Sequence, residues 1–166
     1  MPSYLAIPGI AGDSHADRHE GAIEIDAWSF GATVASGSFG TGARVGRPQF
    51  TDLTLSCRSG SASPRLFEAC ATGRMLPEAV LTSEQGPGRV GMTTEIRLIE
   101  SRVSSYTASG GADVVLDEFR LSFASVSFTV RVPAADGRAG DPVTTTQPSQ
   151  GSPVPSPASG GVWRPK

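Results

Sequence analysis

Asparagine is absent from this 166-residue chain, lysine occurs once (Lys166), and cysteine and histidine occur twice each. Arg therefore carries nearly all the positive charge, a bias expected from GC-rich coding and no sign of phosphate recognition. With a net charge of −2 there is no field to gather phosphate backbones, which argues against a nucleic-acid partner. No apolar run could span a bilayer. Met1 to Gly12 has neither the basic start nor the apolar stretch of a secretory signal, so the expectation is a cytoplasmic start and no membrane insertion. Cys57 and Cys70 fit neither a metal knuckle nor a C-x-x-C spacing and read as buried free thiols.

Chemistry-bearing motifs are also missing. His15 and His19 share one loop, Gly12 to Gly21, with several carboxylates, but a metal needs ligands converging from a rigid frame. They read as solvated or turn-stabilising residues. No G-x-S-x-G turn supplies a nucleophile, and nothing selects one pair from the 16 carboxylates for acid–base work. The glycines between Gly37 and Gly46 are not followed by the Gly-Lys-Ser/Thr of a phosphate loop. The expectation is a non-enzymatic chain with no cofactor and no metal.

What is present is alternation with period two, broken by Gly-rich turns, which predicts a mostly antiparallel β fold. Two long segments change phase once. In Ala22 to Val34, Ile23 and Ile25 share one parity and Trp28, Phe30, Ala32 and Val34 the other, with the slip at Asp26-Ala27. In Val114 to Val132, Phe119, Leu121 and Phe123 point one way and Val126, Phe128, Val130 and Val132 the other, with the slip at Ala124-Ser125. A slip turns the apolar set outward unless a β-bulge absorbs a residue, so both read as long strands that bend at a barrel corner. Thr93 to Thr107 reads the same way, and shorter strands are expected at Ser3 to Ile7, Gln49 to Cys57 and Leu76 to Thr82.

One helix is expected over Pro64 to Thr72. Ser63 is its N-cap, Pro64 its first residue, Leu66, Phe67, Ala69, Cys70 and Ala71 its apolar stripe, and Gly73 its left-handed end. From Pro133 the chain is rich in Pro, Ser, Thr and Gly with almost no large apolar side chain until Val162 and Trp163. The reading is a domain over 1–132 and a flexible tail over 133–166, with 160–166 as a short docking segment. Two Gly-rich loops, Ala35 to Gly46 and Ala108 to Ala112, join strands, and the first carries the aromatic Phe39.

Ile7-Pro-Gly-Ile-Ala-Gly-Asp-Ser14, then His19, then Ile23-Glu-Ile-Asp-Ala-Trp-Ser-Phe-Gly31 resemble the opening signature of the Hcp family of type VI secretion systems. The resemblance continues through Phe50-x-x-Leu53, Ser63-Pro-Arg-Leu66, Ala69-Cys70, Gly73, Ser104-Ser105 and Leu121-Ser-Phe-Ala124, covering Met1 to Val132. It implies a small β-barrel of two antiparallel sheets with one short α-helix packed on the side. It also implies a six-membered ring that stacks into the inner tube, is expelled by a contractile sheath and carries or protects small effector proteins in its lumen. The implied partners are further copies of the chain, spike protein, sheath and baseplate proteins, and effectors. The protein would be cytoplasmic before firing and then secreted without a signal peptide.

Within that frame the ring-stacking loop is expected to use Gly37, Phe39, Gly40, Gly42 and Arg44. Ser29, facing away from the packed side between Trp28 and Phe30, is the candidate for the channel wall. The family commonly ends in a short ordered Gly-Trp segment, whereas here a Pro/Ser/Thr stretch precedes Gly161-Val-Trp163. A tail-tube or binding module of another contractile particle is the alternative.

Overall fold

Strict alternation around one apolar core produces an all-antiparallel arrangement in the computed structural model, which describes residues 1–34, 48–86 and 91–149. Its elements are β1 (Ser3–Ala6), β2 (Ile23–Ile25), β3 (Ala27–Ser29), β4 (Ala32–Val34), β5 (Pro48–Phe50), β6 (Leu53–Arg58), α1 (Ser63–Thr72), β7 (Leu76–Gln85), β8 (Met92–Gly110), β9 (Val115–Ser122), β10 (Ser125–Pro133) and β11 (Ala139–Pro148). Strands β2, β1, β7, β8, β10 and β11 form one sheet in that order, and β8, β9, β6 and β3 form the second. β4 and β5 make a separate hairpin. The fold is therefore mainly β, two antiparallel sheets with one short helix, as the sequence predicts.

The nineteen-residue strand β8 belongs to both sheets. Its first part, to Ser101, pairs with β7, and Thr93 to Ile99 also pair with β10 on the other edge. Its second part, from Arg102, pairs with β9. The inward set changes parity between them: Ile96 and Leu98 are buried before the bend, Ser101 and Val103 after it. Glu100 sits at the change with φ of 50°, a left-handed backbone rare for a residue with a side chain. The neighbouring segment turns at the same level, where β9 gives way to β10 and Ala124 N–H donates to the Ile99 carbonyl (3.1 Å). The phase slip at Ala124-Ser125 is thus a corner between two strands in place of one bulged strand.

The slip at Asp26 has a different cause. β2 closes one end of the strand path and β3 the other, and a single residue, Asp26, links them. Its N–H donates to the Ser56 carbonyl of β6 (2.9 Å), so the chain crosses from one sheet to the other without a loop. The two ends of the path are thereby tied together. Leu5, Leu55, Leu81, Leu98, Phe119 and Leu121 fill the space between the sheets, each at most 1% exposed. Fully burying a side chain of this size contributes roughly 1.5–3 kcal/mol, which makes this filling the main stabilising term.

Helix α1 closes one side with Leu66 and Ala69 turned inward. Gly73 ends it in the left-handed conformation, φ 62°, and the N–H groups of Gly73 and Arg74 return to the carbonyls of Cys70 and Ala69. Two expectations are corrected. Ser63 is the first helical residue and Ala62 the N-cap, so no side chain caps the helix; the Ser63 hydroxyl donates to Asp117 and accepts from the Gly60 N–H (2.9 Å). Phe67 is 60% exposed, lying edge-on to Tyr106 (centroids 5.9 Å apart) instead of inside the core.

The tail reading also changes. Residues 139–148 form β11 on the outer edge of β10, in register from Ser125↔Pro148 to Arg131↔Pro142. Hydroxyl pairs Ser127–Thr146 (2.8 Å) and Thr129–Thr144 (2.9 Å) link the two strands. The turn between them uses Gly137 at φ 78°, and Ala134 N–H donates to the Arg138 carbonyl. Order therefore reaches Ser149, which donates its N–H to the Ala124 carbonyl (2.8 Å), and residues 160–166 lie outside the described residues.

Truncation after Ser149 should leave the denaturant midpoint of the fold unchanged. Truncation after Val132 removes a whole ladder and uncovers the edge of β10, and should cost roughly 3–5 kcal/mol at about 1 kcal/mol per net hydrogen bond. Chemical denaturation of the two shortened chains checks this.

Candidate assembly faces

Ser29 is exposed on β3, and the register shows which residues share its side of the sheet. Ser29 faces Thr54, Thr54 faces Arg120, and Arg120 faces Ser105. The next row runs Ala27, Ser56, Glu118 and Thr107, and beyond it come Arg58, Leu116 and Ser109. Arg102 and Ser122 complete the face. The opposite side of the same strands carries Trp28, Leu55, Phe119 and Leu121 into the core. The second sheet is therefore apolar inside and, outside, a surface of short hydroxyl side chains and arginines.

This sheet has two edges that no described strand covers. One is β3, the last strand of the path. The other is β8 from Arg102 to Gly110, whose only strand partner is β9. Ser104 is the irregular residue of that stretch, and its hydroxyl donates to Asp52 (2.5 Å).

The candidate stacking residues Gly37, Phe39, Gly40, Gly42 and Arg44 lie outside the described residues. What the structure describes is their base. β4 and β5 pair from Ala32↔Phe50 to Val34↔Pro48, and Phe30 and Phe50 pack on Phe123 at the corner, with centroids 6.1 and 6.2 Å apart. The loop is thus rooted where the two sheets meet. The second Gly-rich loop is shorter than expected, since β8 continues to Gly110 and the hairpin turns through Gly111 to Val114.

Sequence reasoning did not single out Asp117, a carboxylate 1% exposed. It accepts hydrogen bonds from the hydroxyls of Ser59 and Ser63, tying β9 to the start of α1. The signal was available: Asp117 has the same parity as Phe119 and Leu121, so it must point inward. A cavity of about 420 Å³ opens beside it, lined among others by Asp13, Asp26, Cys57 and Ser63. Burial, and then Asp117 and Asp26, push the Cys57 thiol up to about 12, which leaves it protonated and unreactive at neutral pH. Burial and the Asp117 carboxylate raise the Tyr106 phenol as well. Asp13, exposed nearby, is held below the usual carboxylate range by hydrogen bonds from Ser61.

His19 has a structural place. Its ring stacks on Tyr4 (4.2 Å, 7°), and Nε2 lies 3.2 Å from the Glu84 carboxylate, which Arg18 also approaches at 3.4 Å. His15 is exposed on the same loop and away from this contact. Among the described residues no group of three metal-ligating side chains converges. No described helix is long and apolar enough to cross a membrane.

Replacing Asp117 with Ala removes a buried acceptor to which exposed Ser59 and half-buried Ser63 donate and should cost roughly 1–3 kcal/mol, whereas Asn, which keeps an acceptor oxygen, should cost less. Thermal or chemical denaturation of both variants checks this. A second outcome concerns alkali. The thiol ionises near 9.0 when unfolded and at about 12 when folded, so the unfolded chain loses its proton first. The stabilisation is complete below pH 9 and is lost as the pH rises toward 12. Denaturation midpoints measured from pH 7 to 11 should fall, less steeply in Cys57→Ala, with Tyr106 supplying the slope that is left.

Comparison with known proteins accords with this architecture. The family described as "Type VI secretion system effector, Hcp" matches residues 4–130. Protein hcp1 of Pseudomonas aeruginosa is 32% identical over 145 residues, covering 84% of this chain and 90% of its own. The crystal structure of Hcp1 from Salmonella typhimurium superposes with a TM-score of 0.71 at 24% identity, over 89% of this chain and 93% of that one. Hcp1 of the E. coli EAEC 042 pathovar, in a doubly substituted form, gives 0.70 at 19% identity over 90% and 100%. With its sheets, its helix and nearly all its described length accounted for in this way, the chain belongs to the Hcp family and is a type VI secretion tube protein.

Proposed function

We propose that the chain closes into a six-membered ring whose inner wall is the outer face of the β3–β6–β9–β8 sheet, and that such rings stack into the secreted tube. The observation that carries this reading is the pair of uncovered edges on that sheet, β3 and the second part of β8. Each lies on the opposite side of one four-stranded sheet, so edge-to-edge pairing between copies is head-to-tail, the kind of contact that closes a ring. Polar Ser29, Thr54 and Ser105 then face the channel while the apolar side stays within each subunit. Helix α1, with exposed Phe67, and exposed Met75 just beyond it flank the β8 edge and join that contact.

Stacking is assigned to the loop from Ala35 to Gly46, rooted at the Phe30–Phe50–Phe123 corner. Phe39 and Arg44 are its contact residues, with Gly37, Gly40 and Gly42 beside them. The subunit works without chemistry of its own. Its buried thiol is protonated and His19 is occupied by Tyr4 and Glu84, which fits a structural role. Export with the tube, docking on a spike, enclosure by sheath and baseplate proteins, and carriage of small effectors complete the reading.

Native mass measurement and negative-stain images should show a particle near six times the subunit mass. A stable monomer at high concentration would sink the ring. In a Cys70→Ala background, Ser29→Cys should react with a small maleimide and resist one carrying a large polymer. Equal labelling by both reagents puts Ser29 outside the channel. Cysteines placed between Gly37 and Gly42 and in the facing ring should give oxidised ladders, and their absence would remove the loop from stacking.

A further inference from the structure

Strand β11 is the outer edge of the first sheet, ten residues long and paired, among the described strands, only with β10. Val143, Thr144, Thr145, Thr146 and Gln147 run along it without a charge, all exposed. An open edge of uncharged β-formers is a template on which another chain can pair.

The ladder fixes which backbone groups that edge offers. Ser149 donates its N–H to the Ala124 carbonyl across the Ser125↔Pro148 pair, so Ser125 and Pro148 exchange no bond with each other. The register runs unbroken from there to Arg131↔Pro142, and the direction of the N–H alternates along a strand. The N–H groups of Val143, Thr145 and Gln147 therefore face β10, while positions 142, 144, 146 and 148 face outward. Hydroxyl contacts agree with this: Ser127–Thr146 (2.8 Å) and Thr129–Thr144 (2.9 Å) fall on the pairs without backbone bonds, where opposite side chains come closest.

Both prolines of the strand thus occupy outward positions, the first and the last of the four. Their missing N–H takes nothing from the ladder with β10, yet deprives an incoming strand of its donors at both ends. By contrast, β3 and the uncovered part of β8, Arg102 to Gly110, contain no proline. We propose that Pro142 and Pro148 close the β11 edge to strand addition, leaving pairing between copies to β3 and β8. Closure of the edge stands on the ladder alone, and only the direction of pairing rests on the ring reading. A subunit that joins its neighbours through sheet edges needs its remaining long edge silent, because pairing there would link copies outside the ring.

Full-length chain carrying both Pro142→Thr and Pro148→Thr should form particles larger than wild type in light scattering and raise thioflavin T fluorescence at least about fivefold at equal concentration. Adding Thr144→Pro and Thr146→Pro to that chain should restore the wild-type size, since two outward donors are again missing. As a check on the placement, Thr144→Pro alone should lower the denaturation midpoint far less than Thr145→Pro, which removes a ladder donor. A double variant as dispersed as wild type overturns the proposal, as do enlarged particles that the moved prolines fail to reverse. Equal damage by Thr144→Pro and Thr145→Pro overturns the assignment of outward positions. A double variant that unfolds by circular dichroism also defeats it, because the prolines would then be holding the strand itself. A wild-type monomer whose double variant still enlarges supports the closed edge and defeats the ring, whereas wild-type rings beside an unchanged double variant do the reverse.

Discussion

Everything in this molecule hangs on a strand that has to serve two sheets. β8 cannot stay straight and keep its apolar side chains inward in both, because successive residues alternate and the two sheets meet at an angle. The bend is made at Glu100, in a backbone conformation that normally costs about 1 kcal/mol or more outside glycine. The cost is tolerable because both neighbours hold the strand there. β7 pairs with it up to Ser101, and the β9–β10 corner donates a hydrogen bond at Ile99. Once β8 is bent, its partners are bent with it, and the Asp26 crossover ties the two ends of the path.

This geometry explains what could be read in the sequence. The phase changes at Asp26 and Ala124 mark the points where the chain leaves one sheet for the other, and they were visible because each side of the slip is apolar enough to show its parity. What alternation does not report is the device that absorbs the slip. A bulge, a corner and a crossover all shift the register by one, and only the pairing partners distinguish them. The helix was legible for similar reasons, through Pro64, Leu66, Ala69 and Gly73. Its N-terminus was not, since the helix starts one residue early, at Ser63, whose hydroxyl donates to the distant Asp117 and accepts from Gly60.

Strand β11 is the instructive omission. Its residues Thr144, Thr145 and Thr146 are exposed on both sides, so no hydrophobic period exists to be read. Its stability comes from the open edge of β10 and from hydroxyl pairs across the ladder. Composition alone made the segment look unfit to fold, but an edge strand needs a partner more than it needs a core. Asp136-Gly137 was the overlooked sign, a turn dipeptide set between two segments of good β-formers.

The two outward faces record different demands on the same fold. On the first sheet, carboxylates and guanidinium groups sit within 3.4 Å of one another at Arg18–Glu84 and Arg97–Glu95, which leaves little field beyond the surface. On the second, Arg58, Arg102 and Arg120 stand without such partners around hydroxyl groups. Stability alone does not favour that arrangement, since like charges on neighbouring strands repel and exposed pairs would have removed the repulsion at little cost. Arginine stays charged at any relevant pH and keeps its donors free only when no carboxylate of the same chain takes them. An unpaired arginine face therefore leaves its donors open to carboxylates of another molecule.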